Sequence, residues 1–314
     1  MSLVSQARGR AVDRFTHEAA FYDGAEGLVT SVLPFVREGV ERGEPVLVAM
    51  RPERLRVLER ALGEDATRVD FVDMRELGAN PACIIPEWRR FLHDTGAEGP
   101  VRGVGEPVWA GRRPVELAEA SLHEALLNVA FDEGPPWHLL CPYDISTLPV
   151  EVLEEAHRNH PGAHLAGVHD RYGGHDRART LFEEPLPPPP PNAYEFTFDG
   201  FDLAGLRGIL RRLAEEAGIG PARADDLVLA SHELAANSIV HGGGRGILHA
   251  WTDRDAFVVD VCDAGVIEDT LVGRDLIDGL SEDGRGVWMA NQLCDLVQVR
   301  SRPSGTDVRL YAWC

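Results

Sequence analysis

Lysine is absent from this 314-residue sequence, in which all 31 basic residues are arginine. A chain without lysine cannot contain the lysine of a Walker A phosphate-binding loop or the strand lysine of a eukaryotic-type protein kinase. It also cannot form the Schiff base that holds pyridoxal phosphate. Any nucleotide chemistry in this protein therefore requires a fold that binds phosphate groups without lysine.

Cysteine is scarce, and none of the five residues forms a Cys-x-x-Cys pair with another. An odd set of this kind indicates buried thiols in a reducing compartment and is not typical of a disulfide framework or a zinc site. The sequence also lacks an N-terminal apolar run that resembles a signal peptide and any uninterrupted apolar segment of about 18 residues. We therefore expect a cytoplasmic protein without a membrane partner.

Positive charge is also in short supply, because 51 acidic residues outweigh the arginines and give a formal net charge of −20. Nucleic-acid binding needs clustered cations against the phosphates, so this balance argues against a direct nucleic-acid partner. We expect protein or small-molecule partners instead. The length is sufficient for two domains that each have a core.

The first half of the chain alternates short apolar segments with helical segments. This alternation predicts a mostly parallel sheet that is covered by helices on both faces. The predicted helices cover residues 26–42, 52–62, 81–94, 114–131 and 149–158, and the predicted strands cover residues 44–50, 68–74, 101–109 and 137–143.

Five phrases of this half resemble the MEDS sensory domain, a RecA-like α/β module found in bacterial regulators. They are HEAAFYD from His17, FVREGVERGEPVLV from Phe35, GEPVWA from Gly105, HEALLN from His123 and LCPYD from Leu140. The resemblance covers residues 12–165 and implies a domain that senses a signal, with a small-molecule ligand as one candidate. It does not imply catalysis, since the chain has no P-loop.

Several polar residues of this half are candidates for a ligand site. His17, Glu106, His123 and Glu124 could line a pocket at the carboxyl ends of the strands, where open α/β sheets bind ligands. The interpretation that we favour is that His123 and Glu124 are solvated or supporting helix residues and that Glu106 caps a turn. Further histidines follow without regular ligand spacing, and we interpret them as surface-loop residues and not as metal ligands; they are His157, His160, His164, His169 and His175.

Residues 166–192 are predicted to link the two halves, and they end in the five consecutive prolines Pro187–Pro191. Such a run should form a polyproline helix of roughly 15 Å, at about 3.1 Å per residue. We interpret it as a semi-rigid spacer. A ligand for an SH3-type domain is the less favoured alternative.

Residues 193–314 contain a segment in which Glu233 and Asn237 lie four residues apart. Apolar residues from Leu227 to Val240 recur at helical spacing, so the carboxylate and the amide should share one face of an amphipathic helix. The surrounding strands predict a two-layer α/β sandwich with a mostly antiparallel sheet. A second acid after a strand and a glycine turn before a helix follow, and this combination indicates a nucleotide site.

The ordered set Glu233-x-x-x-Asn237, Asp263-x-Gly265, Gly284-x-Gly286 and Gly305-Thr306 resembles the Bergerat ATP-binding fold of the GHKL group, which includes gyrase, histidine kinases and MutL. The short segment before Gly284, the lack of a dimerisation hairpin and the phrase GRGVWMANQLCD resemble the RsbW-type anti-sigma kinases. With the MEDS resemblance, nearly the whole chain is similar to RsbA-like regulators of actinobacteria. The implied fold class is a RecA-like parallel α/β sensory domain followed by a Bergerat-fold α/β sandwich.

The resemblance implies ATP and Mg²⁺ as cofactors. It makes Asn237 a Mg²⁺ ligand through its amide oxygen and Asp263 the acceptor of a hydrogen bond from the adenine amino group. Glu233 would be the catalytic residue that orients or deprotonates the attacking hydroxyl. The remaining cofactor-binding residues implied are Gly265, Gly284, Arg285, Gly286 and Thr306.

The resemblance further implies that the chain holds a sigma factor and phosphorylates a serine or threonine on a STAS-domain anti-anti-sigma protein. An ATP-binding module that sequesters its partner without phosphotransfer is the alternative, and a histidine kinase is a third hypothesis. His232 stands in a sequence similar to a histidine kinase phosphoacceptor box, but this box would overlap the Asn237 motif. A zincin helix is excluded because Asn237 stands where the second histidine ligand is required. A homodimer stays open.

Overall fold

The computed structural model describes residues 14–96, 99–165, 167–168, 170–200, 203–274 and 284–314. Three parts of the sequence-based predictions lie outside these ranges: residue 12, at which the sensory domain is predicted to begin, His169, and residues 275–283 of the segment before Gly284. The chain divides into two compact units, residues 1–178 and 179–314. The predicted linker bounds at 166 and 192 stay predictions.

The N-terminal unit is built on a seven-stranded sheet. Its strands are β1 (Thr16–Tyr22), β2 (Val46–Met50), β3 (Asp70–Asp73), β4 (Val101–Gly105), β5 (Trp137–Asp144), β6 (Gly162–Ala163) and β7 (Gly167–Val168). The strand order is β3-β2-β4-β5-β1-β6-β7, and the pairs are parallel except for the antiparallel pair of β6 and β7. Every residue of β2 and β4 is buried, as expected for parallel strands that are covered on both faces.

Helices follow the strands in the predicted alternation, which confirms the α/β class of this unit. They are α1 (Gly24–Arg42), α2 (Pro52–Leu62), α3 (Met74–Leu77), α4 (Ile84–Thr95), α5 (Pro114–Ala130) and α6 (Val150–Asn159), with 3-10 turns at Gly63–Arg68 and Pro81–Cys83. Helix α7 (Asp176–Phe182) follows and contains the boundary between the two units. Pro52 and Pro114 occupy the first turns of their helices, where the missing N–H group costs no hydrogen bond.

The sequence-based prediction missed β1, α3, β6, β7 and α7, and it made β4 too long. Strand β1 was not predicted, although it lies between β5 and β6, because its sequence THEAAFY lacks a clear alternation of apolar and polar residues. Strand β4 ends at Gly105 and not at Trp109, since Pro107 has no N–H group to continue a sheet ladder.

The C-terminal unit is a two-layer α/β sandwich, as predicted. Its elements are β8 (Tyr194–Asp199), α8 (Leu203–Glu216), α9 (Pro221–Val240), β9 (Arg245–Asp253), β10 (Ala256–Asp263), α10 (Arg285–Leu293), β11 (Leu296–Arg302) and β12 (Gly305–Trp313). The sheet order is β11-β12-β10-β9-β8, and all neighbours are antiparallel. Helix α9 packs on the central strands, with α8 and α10 against it.

The buried face of α9 follows the predicted stripe over most of its length. Leu227, Ala230 and Leu234 are almost completely buried. Val240 is 72% exposed, so its assignment to the buried stripe is wrong, because the helix ends at this residue.

The five prolines lie outside the α-helices and strands of the unit, and their predicted polyproline helix stays a prediction. The first of them contacts the sheet. Arg309 of β12 donates a hydrogen bond from Nη2 to the carbonyl oxygen of Pro187 at 2.9 Å. This bond fastens the first proline to the sheet of the C-terminal unit.

Candidate functional site

Helix α9 carries the two polar residues around which the C-terminal site is built. Glu233 and Asn237 are both half-buried and lie one turn apart. Within the described ranges, neither side chain makes a hydrogen bond or an ion pair. An amide and a carboxylate are therefore held on one helix face with their polar atoms available to a ligand.

The end of β10 forms the second part of the site. Asp263 Oδ1 accepts a hydrogen bond from the backbone N–H of Gly265 at 2.7 Å. Thr306 lies opposite Asp263 in the sheet register, and its hydroxyl donates to the carbonyl oxygen of Gly265 at 2.8 Å. Hydrogen bonds to both the N–H and the carbonyl group of Gly265 therefore hold the turn after β10. The half-buried Asp263 carboxylate keeps a defined orientation.

The N-terminus of α10 forms the third part. Gly284 is the N-cap residue of this helix, with a φ of 80°. It has no side chain that could accept hydrogen bonds from the first backbone N–H groups of the helix. Gly286 lies so close to Asn237 that a Cβ atom at this position would be 2.5 Å from Asn237 Nδ2. Arg285, the first residue of the helix, is exposed. The positive end of the helix dipole and the Asn237 amide thus face the same space, which suits an anion and its metal ion.

Ser238 connects these parts, and sequence reasoning missed its role. Its hydroxyl lies 2.6 Å from Asp263 Oδ2 and 3.1 Å from the carbonyl oxygen of Leu234. Two consecutive residues of α9 therefore contact the other two parts of the site. Asn237 contacts Gly286 at the start of α10, and Ser238 donates a hydrogen bond to Asp263 at the end of β10. The available signal was its polarity at a position that the helical pattern places next to the buried stripe.

His232 precedes Glu233 on α9 and is only partly exposed. Burial and the neighbouring Arg207 lower the pKa of His232, while Glu233 acts in the opposite direction. The imidazole is therefore neutral near pH 7.

The four candidate ligand residues of the N-terminal unit do not form one pocket. In the sheet register, His17 of β1 pairs with Leu139 of β5, and Leu139 pairs with Gly103 of β4. Glu106 comes three residues after Gly103, so it lies about 10 Å further along the sheet than His17, at about 3.3 Å per residue. The prediction that His17 lies at the carboxyl end of its strand is therefore wrong. It is the second residue of β1.

Glu106 is buried beyond the end of β4 and does not cap a turn. It accepts hydrogen bonds from the Tyr22 hydroxyl at 3.1 Å, the Arg51 backbone N–H at 3.3 Å and Arg51 Nη2 at 3.0 Å. Burial and the Glu106 charge raise the pKa of Tyr22 well above its usual value. Glu106 is thus saturated by the residues around it.

His17 and Glu124 belong to a second, completely buried cluster beneath α5, together with Cys141 of β5 and His160, which follows α6. His17 Nε2 lies 3.0 Å from Glu124 Oε2 and 3.3 Å from Cys141 Sγ. His160 Nε2 lies 3.1 Å from the same Glu124 oxygen. His123 is buried as well, so the interpretation of His123 and Glu124 as solvated residues is wrong.

The histidines that follow α5 were expected on a surface loop, and this is wrong for two of them. His157 lies on α6, and His160 is completely buried.

Burial and the neighbouring His160 lower the pKa of His17. Burial alone would raise the pKa of Glu124, but His160 and His17 hold it well below its usual value. The cluster therefore contains a buried carboxylate.

Comparisons with known proteins agree with this division. Residues 16–161 match the family described as MEDS, the MEthanogen/methylotroph, DcmR Sensory domain. Residues 197–312 match the family described as Histidine kinase-like ATPase domain. Among curated proteins, no sequence matches the chain significantly.

Among solved structures, the RsbU and RsbW domains of Rv1364c from Mycobacterium tuberculosis are similar to the chain, with 19% sequence identity and a TM-score of 0.31. The match covers 65% of this chain and 49% of that one, so the chain spans about half the length of this relative.

Of the helices described, none combines the length and the hydrophobicity that are needed to cross a membrane. The two family matches account for the two compact units and confirm the fused architecture that the sequence predicts. The chain joins a MEDS sensory domain to a domain of the histidine kinase-like ATPase family.

Proposed function

We propose that this chain is a cytoplasmic, signal-responsive anti-sigma regulator whose C-terminal domain is an ATP- and Mg²⁺-dependent protein serine/threonine kinase. Its substrate is a STAS-domain anti-anti-sigma protein, and its activity controls the availability of a sigma factor. The observation that carries the proposal is that Asn237 and Ser238, adjacent on α9, join the N-terminus of α10 to Asp263.

The residues present fit a magnesium nucleotide. Gly284 and Gly286 have no side chains, so the Asn237 amide packs directly against Gly286 and lies beside the first backbone N–H groups of α10, which can bind phosphate oxygens. Asn237 offers an amide oxygen, a ligand that Mg²⁺ accepts. Asp263 keeps a lone pair on each oxygen for the adenine amino group, because each of its oxygens accepts one hydrogen bond.

Glu233 supplies the remaining function. It lies one turn before Asn237 on the same face of α9 and is partly exposed to solvent. Its carboxylate orients the hydroxyl of the incoming serine or threonine and accepts its proton. Asn237 would hold Mg²⁺, which would supply the neutralisation of the charge that develops on the transferred phosphoryl group.

The partner classes rest on two observations. The phrase that begins at Gly284 resembles the RsbW-type kinases, and a formal net charge of −20 favours protein partners over nucleic acid. The MEDS domain supplies the signal input, for which a small-molecule ligand is the candidate.

Phosphotransfer from γ-labelled ATP tests the proposal. The full chain is incubated with Mg²⁺ and candidate STAS-domain proteins, and the label on each protein is tested for acid stability. Glu233→Gln should lower the transfer rate by about 10²–10⁴-fold, the usual contribution of a general base. Glu215→Gln is the matched control, because Glu215 is an exposed carboxylate on the neighbouring helix α8, and it should keep the rate.

The outcomes separate the three hypotheses. Acid-stable label on the partner, lost with Glu233→Gln, supports the serine/threonine kinase. ATP binding and partner capture without any transfer would replace it with a sequestering module. Acid-labile label on this chain itself would point to a histidine kinase.

A further inference from the structure

The hydrogen bonds behind the buried histidines fix which of their nitrogen atoms carries hydrogen. His17 Nδ1 lies 3.1 Å from Asn128 Oδ1, and His160 Nδ1 lies 2.7 Å from the carbonyl oxygen of Ala156. Both partners are acceptors, because Asn128 Nδ2 donates to the carbonyl oxygen of Asn159 and so turns Oδ1 toward His17. Each Nδ1 is therefore a donor, and in a neutral ring each Nε2 carries a lone pair.

These lone pairs converge on other acceptors. Both Nε2 atoms lie about 3 Å from Glu124 Oε2, at 3.0 Å for His17 and 3.1 Å for His160. His160 Nε2 makes no hydrogen bond of normal geometry in the described part of the chain, and the same holds for Glu124 Oε1. Acceptor atoms that face each other in a completely buried space require a positive charge between them.

We propose that His17, Glu124, Cys141 and His160 form a binding site for a divalent transition-metal ion of the zinc type in the N-terminal unit. One ligand atom from each of the four residues can be chosen so that all lie within 4.8 Å of one another. The closest pairs are 3.0–3.3 Å apart, against about 3.3–3.8 Å between the ligands of a tetrahedral zinc ion. These closest pairs need to separate by only a few tenths of an ångström to reach the spacing of zinc ligands.

The chemistry of the donors selects the ion. Two imidazole nitrogens, a thiolate and a carboxylate suit zinc and similar first-row metals, whereas Ca²⁺ and Mg²⁺ prefer oxygen donors throughout. The charges also balance, because a divalent ion neutralises Glu124 and a deprotonated Cys141. Asn128 and the Ala156 carbonyl hold the rings as the outer hydrogen-bond partners of metal-bound histidines usually do.

The position of the cluster indicates what metal binding does. A metal ion bound there would have four protein ligands in a completely buried space. It would connect β1, β5, α5 and the residue that follows α6. Such a closed site leaves no position for a substrate, so it stabilises this arrangement of the sensory domain and does not catalyse hydrolysis. The proposal does not depend on ATP binding by the other unit.

A second group of residues has comparable ligand types, but an arginine already pairs with its carboxylate. His249, Asp260 and Cys262 lie close together in the C-terminal unit. Arg309 donates to both oxygens of Asp260, at 3.2 Å from Nε and 3.0 Å from Nη2. This carboxylate is therefore neutralised by an internal cation, and we use Cys262 as the control.

Metal titration of the full chain tests the site. The reduced protein is stripped with a chelator and dialysed against Zn²⁺ or Co²⁺, and bound metal and the absorption spectrum are recorded. We expect about one tightly bound ion per chain and a thiolate-to-cobalt charge-transfer band. Both should disappear in Cys141→Ser and persist in Cys262→Ser. His160→Asn should also lose the ion, which covers the case in which Cys141→Ser does not fold.

Two results would overturn the proposal. The first is a folded wild-type chain, judged by circular dichroism, that binds no stoichiometric metal, since the cluster would then be satisfied by protons alone. The second is a charge-transfer band that survives in Cys141→Ser or disappears in Cys262→Ser.

Discussion

The candidate sites of the two units place their polar side chains in opposite environments. In the N-terminal unit, His17, Glu124 and His160 are completely buried and contact one another. In the C-terminal unit, Glu233 and Asn237 are half-buried, and their side chains make no hydrogen bond or ion pair to other described residues. The first set can be satisfied only from inside the fold, whereas the second is arranged for a ligand that arrives from solvent.

On the two proposals made above, this difference separates a site that supports a fold from a site that binds a nucleotide. A buried charge without a partner costs several kcal/mol, so the N-terminal cluster must be complete for its domain to be stable. A half-exposed site around glycine residues costs little when it is empty, and its polar groups gain partners when the nucleotide binds.

The largest effect is expected from breaking the buried cluster. Glu124→Ala leaves two buried histidines without their carboxylate and should lower the free energy of unfolding by about 3–5 kcal/mol. Urea unfolding of the full chain measures it. Glu151→Ala, which removes an exposed carboxylate at the start of α6, should change the free energy by less than about 0.5 kcal/mol. Equal losses for both variants would show that the cluster has no special role.

A smaller effect is expected from displacing the Asn237 amide. In Gly286→Ala, the new Cβ atom would lie 2.5 Å from Asn237 Nδ2 and push the amide away, at a cost of about 1–3 kcal/mol. We expect the affinity for magnesium ATP, measured by calorimetry, to fall by about tenfold or more. Gly208→Ala on α8 is the control, because a Cβ atom there meets nothing within 4 Å. If Gly286→Ala keeps the wild-type affinity, Asn237 does not take part in binding.

The smallest effect concerns the orientation of Asp263. Ser238→Ala removes one of its hydrogen bonds, worth about 0.5–1.5 kcal/mol, and should weaken ATP binding by roughly two- to tenfold. Ser231→Ala is matched, since Ser231 is a buried serine of the same helix that bonds only to the carbonyl oxygen of Leu227 among the described contacts. An equal loss in both variants would indicate a general effect on α9.

The comparison also separates what the sequence can predict from what it cannot. The fold class, the helix that carries Glu233 and the glycine turn before α10 follow from periodicity and from ordered motifs. The sequence places the candidate residues of the C-terminal unit in this way because Asp263 and Gly284 lie at the ends of regular elements and Glu233 and Asn237 lie one turn apart on one helix.

The buried cluster is not predictable by the same means. His17, Glu124, Cys141 and His160 come from four separate elements, and only the parallel register brings β1 beside β5. Strand β1 has no alternating pattern, so His17, its second residue, had no expected partner. The contact of Ser238 with Asp263 depends in the same way on how α9 packs on β10, which no local pattern records.

The most direct test of the account measures bound zinc and magnesium ATP affinity on the same preparations of the full chain, Cys141→Ser and Asn237→Ala. The account predicts that Cys141→Ser loses zinc and keeps ATP, while Asn237→Ala keeps zinc and loses ATP. Loss of both ligands in either variant, or retention of both in each, would contradict the separation of a closed metal site from an open nucleotide site.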